Sequence, residues 1–179
     1  VRRGSSIGLQ KTTCLPGRRV YEYPYTPENI PSFYDKELRV KYLDMLVENR
    51  MNSVYLWNGH PFASLVKLED YPFAVEVDDE TFQKNQEMFS FLTQEADKRG
   101  IFVIQMFYNI ILSKPFAEHY GLRTQERSRQ ITPLISDYTR KSIAAFVENY
   151  PNVGLLVCLG EAMDTYEDDV EFFTETIIP

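Results

Sequence analysis

Val153-Gly154-Leu155-Leu156-Val157-Cys158-Leu159-Gly160-Glu161 is a near-continuous apolar run that stops on a glycine and a carboxylate. A run apolar at successive rather than alternate positions predicts a parallel strand buried on both faces. Two further runs read the same way, Ser53-Val54-Tyr55-Leu56-Trp57 and Ile101-Phe102-Val103-Ile104-Gln105-Met106-Phe107. Ser6-Ile7-Gly8-Leu9-Gln10 is a fourth, weaker candidate.

Helical patterns lie between the runs. Residues 36–50 set Leu38, Tyr42, Met45 and Leu46 on one face, with Asp35 placed to cap. Residues 80–99 carry the stripe Phe82, Phe89, Leu92 and Ala96, and Gly100 stands where a helix-ending glycine belongs. Residues 134–150 carry Ile135, Tyr138, Ala145 and Phe146, opened by Thr132-Pro133. A fourth helix is expected to start near Asp164 or Thr165, where Glu167, Asp168 and Asp169 suit a helix N-terminus. The order β-α repeated four times predicts a parallel sheet with right-handed crossovers.

Loop lengths choose among parallel folds. Helix-to-strand connections are short: Met51-Asn52, Gly100, Pro151-Asn152. Strand-to-helix connections at 11–34, 58–79 and 108–132 are long. Barrels carry their functional loops at the carboxyl ends of the strands and keep the other face tight. No glycine-rich phosphate fingerprint follows any strand, which removes support for a nucleotide-binding sheet. The predicted fold is thus α/β, a TIM (β/α)8 barrel represented by its first four βα units. All of 1–179 is read as the N-terminal half of one catalytic domain, since a whole barrel takes roughly 250 residues. Val1, without an initiator Met or apolar leader, and the unfinished pattern at Ile177-Ile178-Pro179 read as cuts from a longer chain. The missing C-terminal half is the expected partner, and the isolated piece is expected to be inactive.

The 179 residues are 44% hydrophobic and 25% charged, ordinary for a globular protein. A net charge of -7 argues against nucleic acid as a partner, and no stretch approaches the roughly 20 apolar residues of a membrane span. Cys14 and Cys158 are too few for a disulfide scaffold. His60 and His119, the two histidines, give no metal spacing, so neither metal nor cofactor is expected. Aromatics make up 14% of the chain. Most should fill the core, though such rings also stack on sugars.

Three strand ends carry candidate chemistry. Glu161 follows Leu159-Gly160 and is the expected catalytic group, a general acid in the mouth of the barrel. Trp57, Asn58 and His60 end one strand, and Tyr108 and Asn109 end the next. Rings, amides and an imidazole at matching positions predict a sugar subsite, which Gln10 and Lys11 would close from the first strand. Asp164 is a weak candidate for the second carboxylate that glycosidases use, whose better place is outside this sequence.

Several of these segments resemble glycoside hydrolase barrels. They are Arg3-Gly4, Tyr34-Asp35-Lys36 with Tyr42-Leu43-Asp44-Met45-Leu46, Asn52 to Trp57, Gly100 to Asn109, and Leu159-Gly160-Glu161. The resemblance is to α-glucuronidase-like (family 67) and β-hexosaminidase-like (family 20) catalytic domains. It implies hydrolysis of a glycosidic bond in a polysaccharide or oligosaccharide, with Glu161 as the acid at the end of strand four. By analogy it implies a periplasmic or secreted location. Hexosaminidase-like enzymes place an Asp before that Glu, and here the position is Gly160. The resemblance therefore does not extend to their substrate-assisted mechanism, and uronic-acid and neutral sugars stay open. Lys11, Arg18 or Arg19 in the first long loop could then pair with a substrate carboxylate, although surface charge is the better reading of all three. The alternative reading is a non-catalytic carbohydrate-binding barrel. A barrel aldolase or isomerase would call for a strand-end Lys or a metal cluster.

Overall fold

The computed structural model describes residues 1–9, 11, 23–159 and 164–178. Four parallel strands, β1 (Gly4–Gly8), β2 (Ser53–Trp57), β3 (Phe102–Tyr108) and β4 (Val153–Cys158), pair in the order β1-β2-β3-β4. Each strand lies beside its neighbour in sequence, as in a singly wound barrel wall. A doubly wound sheet would reverse its order at a switch point. The first strand begins earlier than its hydropathy suggests. A Cβ on Gly4 would lie 2.3 Å from the Ser53 carbonyl oxygen, so only glycine lets β1 start there.

The main helices are α1 (Lys36–Glu48), α3 (Asp79–Lys98), α5 (Pro133–Asn149) and α6 (Tyr166–Phe172). The long loops hold two short ones that periodicity does not reveal, α2 (Phe62–Leu65) and α4 (Lys114–His119). Asp35, Asp78, Thr132 and Thr165 cap the four main helices through their side-chain oxygens. At the other ends, Arg50 (φ 56°) and Gly100 (φ 66°) close α1 and α3 in the left-handed region. Each is flanked by a paired return to the last turn: Met51 to Leu46 and Arg50 to Val47, Ile101 to Ala96 and Gly100 to Asp97. This compact stop is why the helix-to-strand connections are short.

The stripe on α3 is buried as expected, with Phe82, Phe89, Leu92 and Ala96 at most 6% exposed. The α1 stripe is buried only in part. Leu46 is buried and Tyr42 partly so, but Leu38 and Met45 are about two-fifths exposed, while Arg39 and Leu43 face inward beside Leu46. The helix turns this way because the Arg39 Nε and Nη2 both donate to the Ser32 carbonyl, at 3.0 and 2.7 Å. A hydropathy reading puts Arg outside and so mis-phases the helix.

Helices cover one face of the sheet. Val54, Leu56, Val103, Gln105 and Phe107 are buried beneath them. Behind these strands Phe62, Phe89, Phe146 and Tyr150 pack edge-on, with ring centroids 4.7–5.6 Å apart. Burying each ring contributes about 2–3 kcal/mol. The other face, with Tyr55, Trp57, Ile104, Met106 and Leu156, is only partly covered, so burial on both faces is not what these residues show.

Candidate active site at the carboxyl ends of the strands

Side chains alternate along a strand, so Trp57 and Tyr108 belong to the face away from the helices. Their rings meet edge to face, centroids 5.7 Å apart at 86°. Together with Tyr23, Ile110, Ile111, Gln125 and Arg127 they line a hollow of about 160 Å³. Gln125 and Arg127 come from the loop after β3, which folds back on itself. Ile111 and Gln125 form an antiparallel bridge, and Leu112 N donates to the Thr124 carbonyl at 2.9 Å. Arg127 is exposed and has no carboxylate in ion-pair range among the described residues. Burial raises the Tyr23 pKa, keeping its phenol neutral.

Asn58, His60 and Asn109 point the other way and are at most 5% exposed. The Asn58 amide donates to the carbonyls of Leu9 (2.6 Å) and Tyr23 (2.9 Å), and its oxygen accepts from His60 N (2.9 Å). That one side chain ties the exits of β1 and β2 together. His60 Nε2 lies 3.1 Å from the Tyr138 hydroxyl. Burial, then the charge of Arg129, lowers its pKa to about 3, so it is neutral. Arg129 is itself buried. Its Nη2 donates to the carbonyls of Ile110 and Arg123, holding the folded-back loop.

The structure thus brings Trp57 and Tyr108 to one hollow and sets Asn58, His60 and Asn109 behind it. Lys11 is exposed, as is Asp164 ahead of α6. Gln10, Arg18, Arg19, Gly160 and Glu161 lie outside the described residues. Tyr23, Gln125 and Arg127 were missed by sequence reasoning, because loop residues without a period carry no signal of what they fold against. Chemically, the hollow offers an aromatic face, an amide and a guanidinium: a surface for a ring bearing hydroxyls and a carboxylate. Among the described residues no three His, Cys, Asp or Glu side chains gather as a metal site.

No family model and no curated protein matches the chain. Solved structures do. The whole chain matches a GH138 enzyme targeting pectin rhamnogalacturonan II at 80% identity, with a TM-score of 0.93. A maltogenic α-amylase from Thermotoga neapolitana matches over 87% of this chain and 38% of its own, at 13% identity and a TM-score of 0.51. A chitobiase from Flavobacterium johnsoniae, a family 20 enzyme, matches over 79% of this chain and 24% of its own, at 15% identity and a TM-score of 0.49. The chain spans 21% of the length of the GH138 enzyme, and over that span it has the fold of part of a TIM-barrel glycoside hydrolase, four parallel βα units.

Proposed function

We propose that this chain is part of the catalytic barrel of a glycoside hydrolase acting on a pectic polysaccharide of the rhamnogalacturonan II kind. The observation that carries the reading is 80% identity along the whole chain to an enzyme that targets that polymer. At such identity the loops that differ most between barrel enzymes are expected to keep their chemistry. Trp57 and Tyr108 would stack on a sugar ring, Gln125 would bond its hydroxyls, and Arg127 would pair with a sugar carboxylate. Gln10 and Lys11 would close the subsite from the end of β1. Asn58, His60 and Asn109 would serve it from behind, holding the strand exits. Glu161, two residues beyond Leu159, is proposed as the general acid, with its partner carboxylate on a later strand. The remaining half of the barrel is the structural partner this reading requires.

The test is hydrolysis of rhamnogalacturonan II oligosaccharides and of aryl uronides by the full-length protein, beside its Glu161→Gln variant. Cleavage that falls about a hundredfold or more in the variant is expected for a lost general acid. Cleavage that survives the change removes Glu161 from the mechanism. Binding without cleavage would replace the enzyme by a carbohydrate-binding barrel.

A further inference from the structure

Two holes of about 10 Å³ each lie side by side where α5 packs against the end of β3, sharing Phe62, Tyr138 and Ser142 as a common wall. Each is about the size one water needs. Their chemistry differs. The first is otherwise lined mainly by alkyl and aromatic groups, including Ala63, Val66, Leu68 and Val75. Its hydroxyls are engaged: Ser142 donates to the Tyr138 carbonyl at 2.8 Å and Tyr71 to Asp137 at 2.7 Å. The second adds His60, Tyr108, Asn109 and Thr139. Asn109 is 5% exposed, and both its Nδ2 and its Oδ1 are buried without a hydrogen-bond partner. Thr139 is only partly buried on α5, and the Tyr138 hydroxyl, already paired with His60 Nε2 at 3.1 Å, keeps capacity for a further bond.

Two orphaned polar atoms of one buried amide are costly unless something answers both, and a native interior rarely leaves them so. We propose that the hole beside Asn109 is a binding site for one ordered water that joins the Asn109 amide to the Thr139 and Tyr138 hydroxyls, while the adjacent apolar hole stays dry. Water both donates and accepts, so a single molecule satisfies Nδ2 and Oδ1 in turn and still reaches a hydroxyl on α5. The apolar hole offers a water no unengaged partner. Asn109 is then a positioning residue. It fixes the exit of β3 through the water, one position beyond the Tyr108 ring, and does not touch the sugar.

The test is a high-resolution crystal structure of the full-length protein. A solvent peak about 2.7–3.2 Å from both amide atoms of Asn109 is expected, with no peak in the apolar hole. Absence of that peak, or an equally ordered peak in the apolar hole, overturns the proposal. A bound oligosaccharide whose hydroxyl displaces the peak also overturns it, because the hole would then be part of the substrate site. Asn109→Leu should expel the water, and Thr139→Val should weaken or shift the peak without changing the shape of the hole. A peak unmoved in both variants would show that neither residue holds it.

Discussion

Lowering the pH from 7 to 5 should weaken the fold through one residue, His60. Its imidazole is buried against Tyr138 and Phe62, with the Arg129 charge nearby, and its pKa falls from 6.5 to about 3. The sign follows from where the proton goes. Below pH 6.5 the unfolded chain takes up a proton that the folded chain refuses until about pH 3, so the stability present above 6.5 is lost steadily across that window. Each pH unit costs about 1.4 kcal/mol, which makes the loss at pH 5 about 2 kcal/mol relative to pH 7. The carboxylates held low by their partners, Glu87, Glu95 and Asp137, enter only below their unfolded values of 4.5 and 3.8. The window from 5 to 6.5 therefore lies above the carboxylates and reports on the buried His60. Trp57 is the single tryptophan and sits beside the site, so its fluorescence reports urea unfolding without a label. The wild-type free energy of unfolding should fall by about 2 kcal/mol between pH 7 and 5, and that of His60→Gln by only a few tenths. Parallel losses in the two proteins would refute the assignment to His60.

Asn85 should be a costly residue to lose. Its amide is fully buried on α3, donates to the carbonyls of Tyr25 and Ser64, and accepts from the Tyr34 hydroxyl. Asn85→Ala should cost about 3 kcal/mol or more in a urea titration. Arg50→Gly should act in the opposite direction, relieving a left-handed backbone at φ 56° and raising stability by up to about 1 kcal/mol, read as a higher melting temperature. Gly59→Ala should destabilise by about 1–3 kcal/mol, because a Cβ there meets the Tyr23 ring at 2.6 Å and Ile111 at 2.8 Å. In the full-length protein, Arg127→Ala should raise KM for acidic oligosaccharides about tenfold or more and leave melting unchanged, since the side chain is exposed.

The fold was legible where a single force decides it. The three strong apolar runs are strands β2, β3 and β4, and the Thr132-Pro133 and Gly100 signals mark helix ends that the structure keeps. Sequence reading failed where a polar group is drawn inward by one specific partner. Arg39 turns α1 because Ser32 offers it a carbonyl. Asn85 sits at 0% exposure within the α3 stripe because Tyr25, Ser64 and Tyr34 meet it there. None of these partners lies on the same helix, so helical periodicity does not register them. The short helices α2 and α4 are likewise set by tertiary contacts: Phe116 packs on Tyr138 at 4.0 Å, and Phe62 on Phe107 at 4.9 Å.

The candidate site shows the same division at finer grain. The pairs Trp57-Asn58 and Tyr108-Asn109 look equivalent in sequence, a ring and an amide at matching strand ends. The two-residue period of a strand separates them. Counting on from Val54 and Leu56, which are buried under helices, Asn58 falls on the helix side and Trp57 on the open side. Counting from Val103, Gln105 and Phe107 does the same for Asn109 and Tyr108. The amides therefore meet the scaffold and the rings meet the hollow. An amide at the helix side finds carbonyls of adjoining loops, as Asn58 does with Leu9 and Tyr23, and so locks the strand exit. On the open side the rings of Trp57 and Tyr108 meet edge to face and line the hollow. This ring-and-amide step, repeated on adjacent strands, is written in local sequence alone. What no local pattern supplies is the opposite wall, Gln125 and Arg127, which arrives only when the loop after β3 folds back over Tyr108.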